Sequence, residues 1–138
     1  MSPIRMTVVI ALAALTCAAV FWLLFRGAPA GQPLAHQVQV TVPELSGATA
    51  SGQAVFAANC AACHGANAAG GPGGPPLVHR IYEPGHHADI SFTLAVRNGV
   101  RQHHWQFGNM PPIPGIAEAQ IAQVVTYVRT LQRANGIR

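Results

Sequence analysis

The sequence predicts an all-α protein, in which three main helices with long loops form one domain behind a single N-terminal transmembrane helix. Three observations carry that prediction. Residues 7–25 form an apolar run without charge, glycine or proline. Three later stretches read as helices, the last with an unbroken apolar stripe, and the segments between them are rich in the glycine and proline that break regular structure. A chain of 138 residues can bury one core of its own but not two. The expected organisation is a leader over 1–26, a proline-containing linker over 27–49 and a domain over 50–138.

Half of the residues are hydrophobic and only 9% are charged, a balance that places part of the chain in lipid. The formal net charge of +4 is carried by arginine alone, since lysine is absent. Arg5 and Arg26 flank the leader, and beyond residue 50 six arginines face Glu83, Asp89 and Glu118. Such a mildly basic domain suits an acidic protein partner. No basic run with interleaved aromatics is present, which argues against a nucleic-acid partner.

Nineteen helical residues, 7–25, would extend about 28 Å, close to the roughly 30 Å of a bilayer's hydrocarbon core. Trp22 falls where an indole suits the membrane interface. The alternative is a signal peptide cleaved after Ala28-Pro29-Ala30. The run exceeds the roughly 7–15 residues of a usual signal core, however, and Arg26 intervenes before the candidate site, so an uncleaved anchor is favoured. Cys17 within the run reads as a small apolar residue. Arg5 and Arg26 nearly balance across the segment and do not set its orientation. In the linker, Val38 to Val42 alternates as a short extended segment laid against the domain would, and His36 reads as a solvated side chain. Fully extended, the linker reaches at most about 75–85 Å.

The first domain helix is expected over Gly52–Cys60, capped by Thr49 or Ser51, with an apolar face through Val55 and Phe56. It runs into Cys60-Ala61-Ala62-Cys63-His64. Two cysteines three apart, with a histidine directly behind, form the attachment signature of a c-type haem: both thiols can add to haem vinyl groups, and the imidazole is delivered to the iron. A thioredoxin-type redox pair would want a βαβ context, zinc would want two further ligands, and a disulfide over so small a loop leaves His64 unexplained.

The stretch Ala66–Leu77 is too rich in glycine and proline for regular structure, and behind a haem-binding histidine it lets the backbone lie close to a flat porphyrin. A second helix is expected over Asp89–Asn98, with Ile90, Leu94 and Phe92 inward and Gly99 as a left-handed cap. The last helix is expected over Ala117–Ala134. There Ile121, Val124, Val125, Val128 and Leu131 form the stripe, Arg129 and Arg133 complement the helix dipole, and Asn135-Gly136 ends the helix. Met110 is the only methionine outside the leader. Followed by Pro111-Pro112, whose fixed φ angles restrict its loop, it is the candidate for the second axial position on the iron. His79, His86, His87, His103 and His104 read as surface imidazoles, with a copper or zinc site as the alternative. Arg80, Arg101 and Trp105 are candidate donors to haem propionates.

Gly52-x-x-x-Phe56-x-x-x-Cys60-x-x-Cys63-His64-Gly65, Gly74-Pro75-Pro76-Leu77, Val96-Arg-Asn98-Gly99, Met110-Pro-Pro112 and Val125-x-Tyr127-Val-x-x-Leu131 together resemble a class I monohaem cytochrome c, over about residues 50–135. The resemblance implies one haem c held by thioethers at Cys60 and Cys63, with iron ligated by His64 and Met110. It also implies that the Pro75 carbonyl accepts the other His64 N–H, and that Gly52 and Phe56 meet Tyr127 where the first and last helices cross. Two features depart from the family pattern: Ala117 stands where the last helix usually has a Ser or Thr cap, and the His103-His104-Trp105 segment is additional.

The function expected is single-electron transfer between redox partner proteins, without catalysis. The setting expected is the bacterial inner membrane, with the haem domain in the periplasm, where c-type attachment in bacteria takes place. The alternatives are a metal-handling or sensory module, or a fixed subunit of an oxidase or dehydrogenase complex.

Overall fold

A computed structural model describes residues 15–22 and 36–138. The chain divides into two compact units, one within residues 1–32 and one from residue 33 onward. In the first, residues 15–22 are helical, and the large side chains of Leu15, Val20, Phe21 and Trp22 are exposed. Among the described residues no helix is long and apolar enough to cross a membrane. The expected span over 7–25 and the candidate cleavage site at Ala28–Ala30 lie largely or wholly outside them.

The second unit is helical. Helix α1 spans Gly47–Asn59, α2 Ala61–His64, α3 Asp89–Asn98 and α4 Glu118–Ala134, with single 3-10 turns at Ala66–Ala68 and Arg80–Tyr82. The described residues form no strand, only isolated bridges between Gly71 and Gly74 and between Val100 and Met110.

Helix α1 begins five residues before the expected Gly52, because Ser46 rather than Ser51 occupies the N-cap. The Thr49 hydroxyl accepts from the Ser46 N–H at 3.1 Å and donates to the Ser46 carbonyl at 2.7 Å, closing the first turn from inside. The helix breaks at Cys60, whose φ of −121° is not helical, and restarts as α2 through the rest of the cysteine motif.

Helices α1 and α4 cross at Gly52, where an added Cβ would lie 2.0 Å from the Gln123 carbonyl oxygen and 2.9 Å from the Tyr127 Cβ. Only glycine allows the two backbones so close. One turn on, the Phe56 and Tyr127 rings pack with centroids 5.6 Å apart, both buried. The contact implied for Gly52, Phe56 and Tyr127 is therefore present. The Tyr127 hydroxyl donates to Asn67 Oδ1 at 3.2 Å, so the buried phenol keeps a polar partner.

Along α4 the whole expected stripe is buried: Ile121, Val124, Val125, Val128 and Leu131. The missing Ser or Thr cap at Ala117 is replaced from within the helix, where Gln120 Oε1 accepts the Ala117 N–H at 3.0 Å. Arg97 and Glu118 form an ion pair beside that turn.

Arg129 does not serve the helix dipole as expected. It is 6% exposed, and its guanidinium lies 4.8 Å from the Phe92 ring centroid. It donates to Asp89 Oδ1 at 2.7 Å, to the Tyr82 carbonyl at 2.7 Å, to Gln132 Oε1 at 2.6 Å and to the His87 carbonyl. Gln132 in turn donates to the carbonyls of Leu77 and Tyr82. A buried cation is tolerated because its donors are met, and the two side chains together fix the loop between α2 and α3.

That network also decides which face of α3 turns inward. Asp89 and Phe92 share a face and are held by Arg129, so Ile90 and Leu94, expected inward, are 59% and 44% exposed. Gly99 ends α3 with φ +72° but an extended ψ of −179°, so it is not the left-handed cap expected.

Residues 37–46 are extended and lie against the domain. The Val38 N–H donates to the Ala69 carbonyl at 2.8 Å, Thr41 and Asn135 exchange a pair of hydrogen bonds at 2.9 Å, and Val38, Val40 and Leu45 pack on the core. His36 is half-buried rather than solvated: its Nε2 lies 2.7 Å from the Gly71 carbonyl and its ring meets Phe107 edge-on at 4.5 Å.

Candidate haem site

Between α1, α3, α4 and the Met110 loop lies a cavity of about 310 Å³ whose walls include Phe56, Leu77, Phe92, Val96, Ile113 and Val124. Cys60, Cys63, His64, Pro75 and Met110 all line it, so every site residue expected from the sequence reaches one cavity. Leu94, expected inward, lies outside the walls, on the exposed face of α3.

His64 ends α2, and its Nδ1 lies 2.9 Å from the Pro75 carbonyl. A carbonyl only accepts, so Nδ1 carries the proton and Nε2 keeps the lone pair that a metal needs. Burial pushes the His64 pKa down, against the upward pull of the Pro75 hydrogen bond, and so favours the neutral imidazole. The Pro-rich loop passes directly over that ring: a Cβ at Gly74 would stand 3.1 Å from His64 Cε1 and Nδ1. Cys60 is buried and Cys63 exposed, and neither is in a disulfide. Burial, with Cys63 adding to it, pushes the Cys60 thiol up to about 11.

Met110 is held by its backbone. Its N–H donates to the Val100 carbonyl at 3.0 Å and its carbonyl accepts from the Val100 N–H at 2.9 Å, while the Ile113 N–H donates to the Val96 carbonyl at 2.8 Å. The loop carrying the sulfur is thereby stitched to the end of α3.

Trp105 lines the same cavity, and its buried indole N–H has no partner in hydrogen-bond geometry. Burial pushes the nearby Tyr82 phenol up to about 12, with the Trp105 indole opposing. Arg80 and Arg101, expected beside Trp105 as propionate donors, are exposed and outside the walls. Among the clustered histidines, the ring nitrogens of His86, His87 and His104 lie within 4.8 Å of one another, and His87, His103 and His104 reach the cavity rim.

Sequence reasoning missed Phe107, which lines the cavity and braces His36 of the extended segment, and the Arg129–Gln132 pair. The available signal for the latter was polar side chains at positions next to the apolar stripe of α4.

These features fit a covalent haem. Two free thiols and an imidazole stand at one apolar cavity, with a thioether on the same lining. A family model described as cytochrome c matches residues 49–132, more than half of the chain. A search of curated proteins gives no match. The chain belongs to the cytochrome c family, as a class I c-type cytochrome whose covalent cofactor is haem c, with Cys60 and Cys63 at the attachment spacing.

Proposed function

We propose that the protein is a single-electron carrier, without catalysis of its own, in which the His64 imidazole and the Met110 thioether fill both axial positions of the iron. When bound, the haem supplies a one-electron Fe(II)/Fe(III) couple. The observation that carries the reading is that His64 and Met110 line one cavity, the His64 ring bonded to the Pro75 carbonyl and Met110 held by a pair of backbone hydrogen bonds to Val100. With His64 and Met110 both holding the iron, no position would be left open to a substrate, which would suit one-electron transfer. The Met110 sulfur favours Fe(II), and the apolar walls disfavour the extra charge of Fe(III).

Both effects raise the midpoint potential. A spectroelectrochemical titration is expected to give one single-electron step at a potential above the standard hydrogen electrode, and the reduced protein is expected not to take up CO rapidly at neutral pH. A potential well below that reference, or rapid stoichiometric CO binding, would replace the carrier by a sensory module with a labile site.

The carrier is proposed to be tethered to the bacterial inner membrane by the N-terminal segment, with its haem domain in the periplasm. Support comes from the apolar run of residues 7–25 and from the exposed apolar side chains on the helical residues 15–22. The carrier's donor and acceptor would be redox partner proteins.

A further inference from the structure

We propose that His86, His87 and His104 form a second metal site, for one divalent d-block ion of imidazole preference such as Zn²⁺. The three ring nitrogens lie within 4.8 Å of one another, and no carboxylate belongs to the group. Their ring centroids are 4.7 to 5.2 Å apart, with His104 turned 89° to His86 and 67° to His87. A tetrahedral zinc with bonds of about 2.0 Å needs nitrogens about 3.3 Å apart, a closure within reach of side-chain rotation.

The backbone that presents these rings is already built. His86 and His87 sit on a turn whose N–H groups donate to the Glu83 carbonyl at 3.0 and 2.8 Å, and the buried Arg129 holds the His87 carbonyl. His87 Nδ1 lies 2.6 Å from the Ile81 carbonyl, so Nδ1 carries the proton and Nε2 is left as the donor atom. This is the outer hydrogen bond that metal-ligating histidines commonly make. His79 is excluded, because its Nδ1 accepts the Ile81 N–H at 3.2 Å and its ring packs on Trp105.

The ion would join the turn before α3 to the loop that leads to Met110. His87 and His104 also line the haem cavity, so the charge would stand at its rim, uncompensated by any carboxylate of the group. It would disfavour Fe(III) and raise the midpoint potential. Binding itself does not depend on the carrier reading, whereas the shift in potential rests on it.

The test is calorimetric titration of the haem-loaded full chain in detergent with ZnCl₂, beside His86→Ala, His104→Ala and the double variant. His86 is exposed and outside the cavity walls, so its variant is expected to keep the wild-type haem spectrum. One zinc per chain is expected, at least about tenfold weaker in either single variant and lost in the double. Zinc is also expected to raise the potential of the wild type and not of the double variant. Absent binding, an affinity unchanged in both single variants, or an equal shift of potential in the double variant would overturn the site.

Discussion

Replacing both Cys60 and Cys63 with serine removes covalent haem: on denaturing electrophoresis the double variant carries no haem with its polypeptide, and each single variant retains at most one thioether. The addition to a vinyl group needs sulfur, and serine matches cysteine in size but supplies no comparable nucleophile. Because His64, Met110 and the apolar walls remain, haem can still enter the cavity without being bound to the chain, so the decisive readout is covalency rather than colour. Haem that stays with the denatured double variant would contradict attachment at Cys60 and Cys63. The cavity also separates haem from the readings that a lone cysteine pair leaves open, since zinc has no use for a large apolar wall, and both thiols are unpaired.

Gly52→Ala is expected to destabilise the domain strongly by forcing its first and last helices apart. The new Cβ would meet the Gln123 carbonyl oxygen at 2.0 Å, and that atom is helix backbone, which cannot rotate away as a side-chain tip can. Helices α1 and α4 must separate, which loosens Phe56 against Tyr127 and the wall that both helices give the cavity. The cost is about 3 kcal/mol, at the top of the usual range for overpacking. For a domain of this size that corresponds to a fall in melting temperature of more than about 10 °C. Gly85→Ala is the matched control, because its Cβ would meet nothing within 4 Å. Scanning calorimetry of the two variants beside the wild type decides; equal melting temperatures for Gly52→Ala and Gly85→Ala would contradict the crossing.

What was legible in the sequence was what depends on spacing along one element. The cysteine motif, the apolar stripe of α4 and Met110 before its two prolines each carry their meaning within a few residues, and all reach the cavity or the core. What was not legible depends on partners distant in the chain. On α3, Ile90 with Leu94 and Phe92 with Val96 are equally good helical pairs, and only Arg129, some forty residues on, selects the second. Arg129 itself looked like a dipole-compensating surface cation, because nothing local shows that the carbonyls of Tyr82 and His87 wait for it. His36 looked solvated for the same reason: Gly71 and Phe107 lie far along the chain. The start of α1 moved because Ser46, Thr49 and Ser51 are all competent caps, and Thr49 closes a turn on Ser46.

The axial pair is the centre of the proposed function, and near-infrared absorption of the oxidised protein tests it most directly. Ligation by His64 and Met110 predicts a weak sulfur-to-iron band in the wild type that is lost in Met110→Ala. A band that survives in Met110→Ala, or none in the wild type, would contradict it.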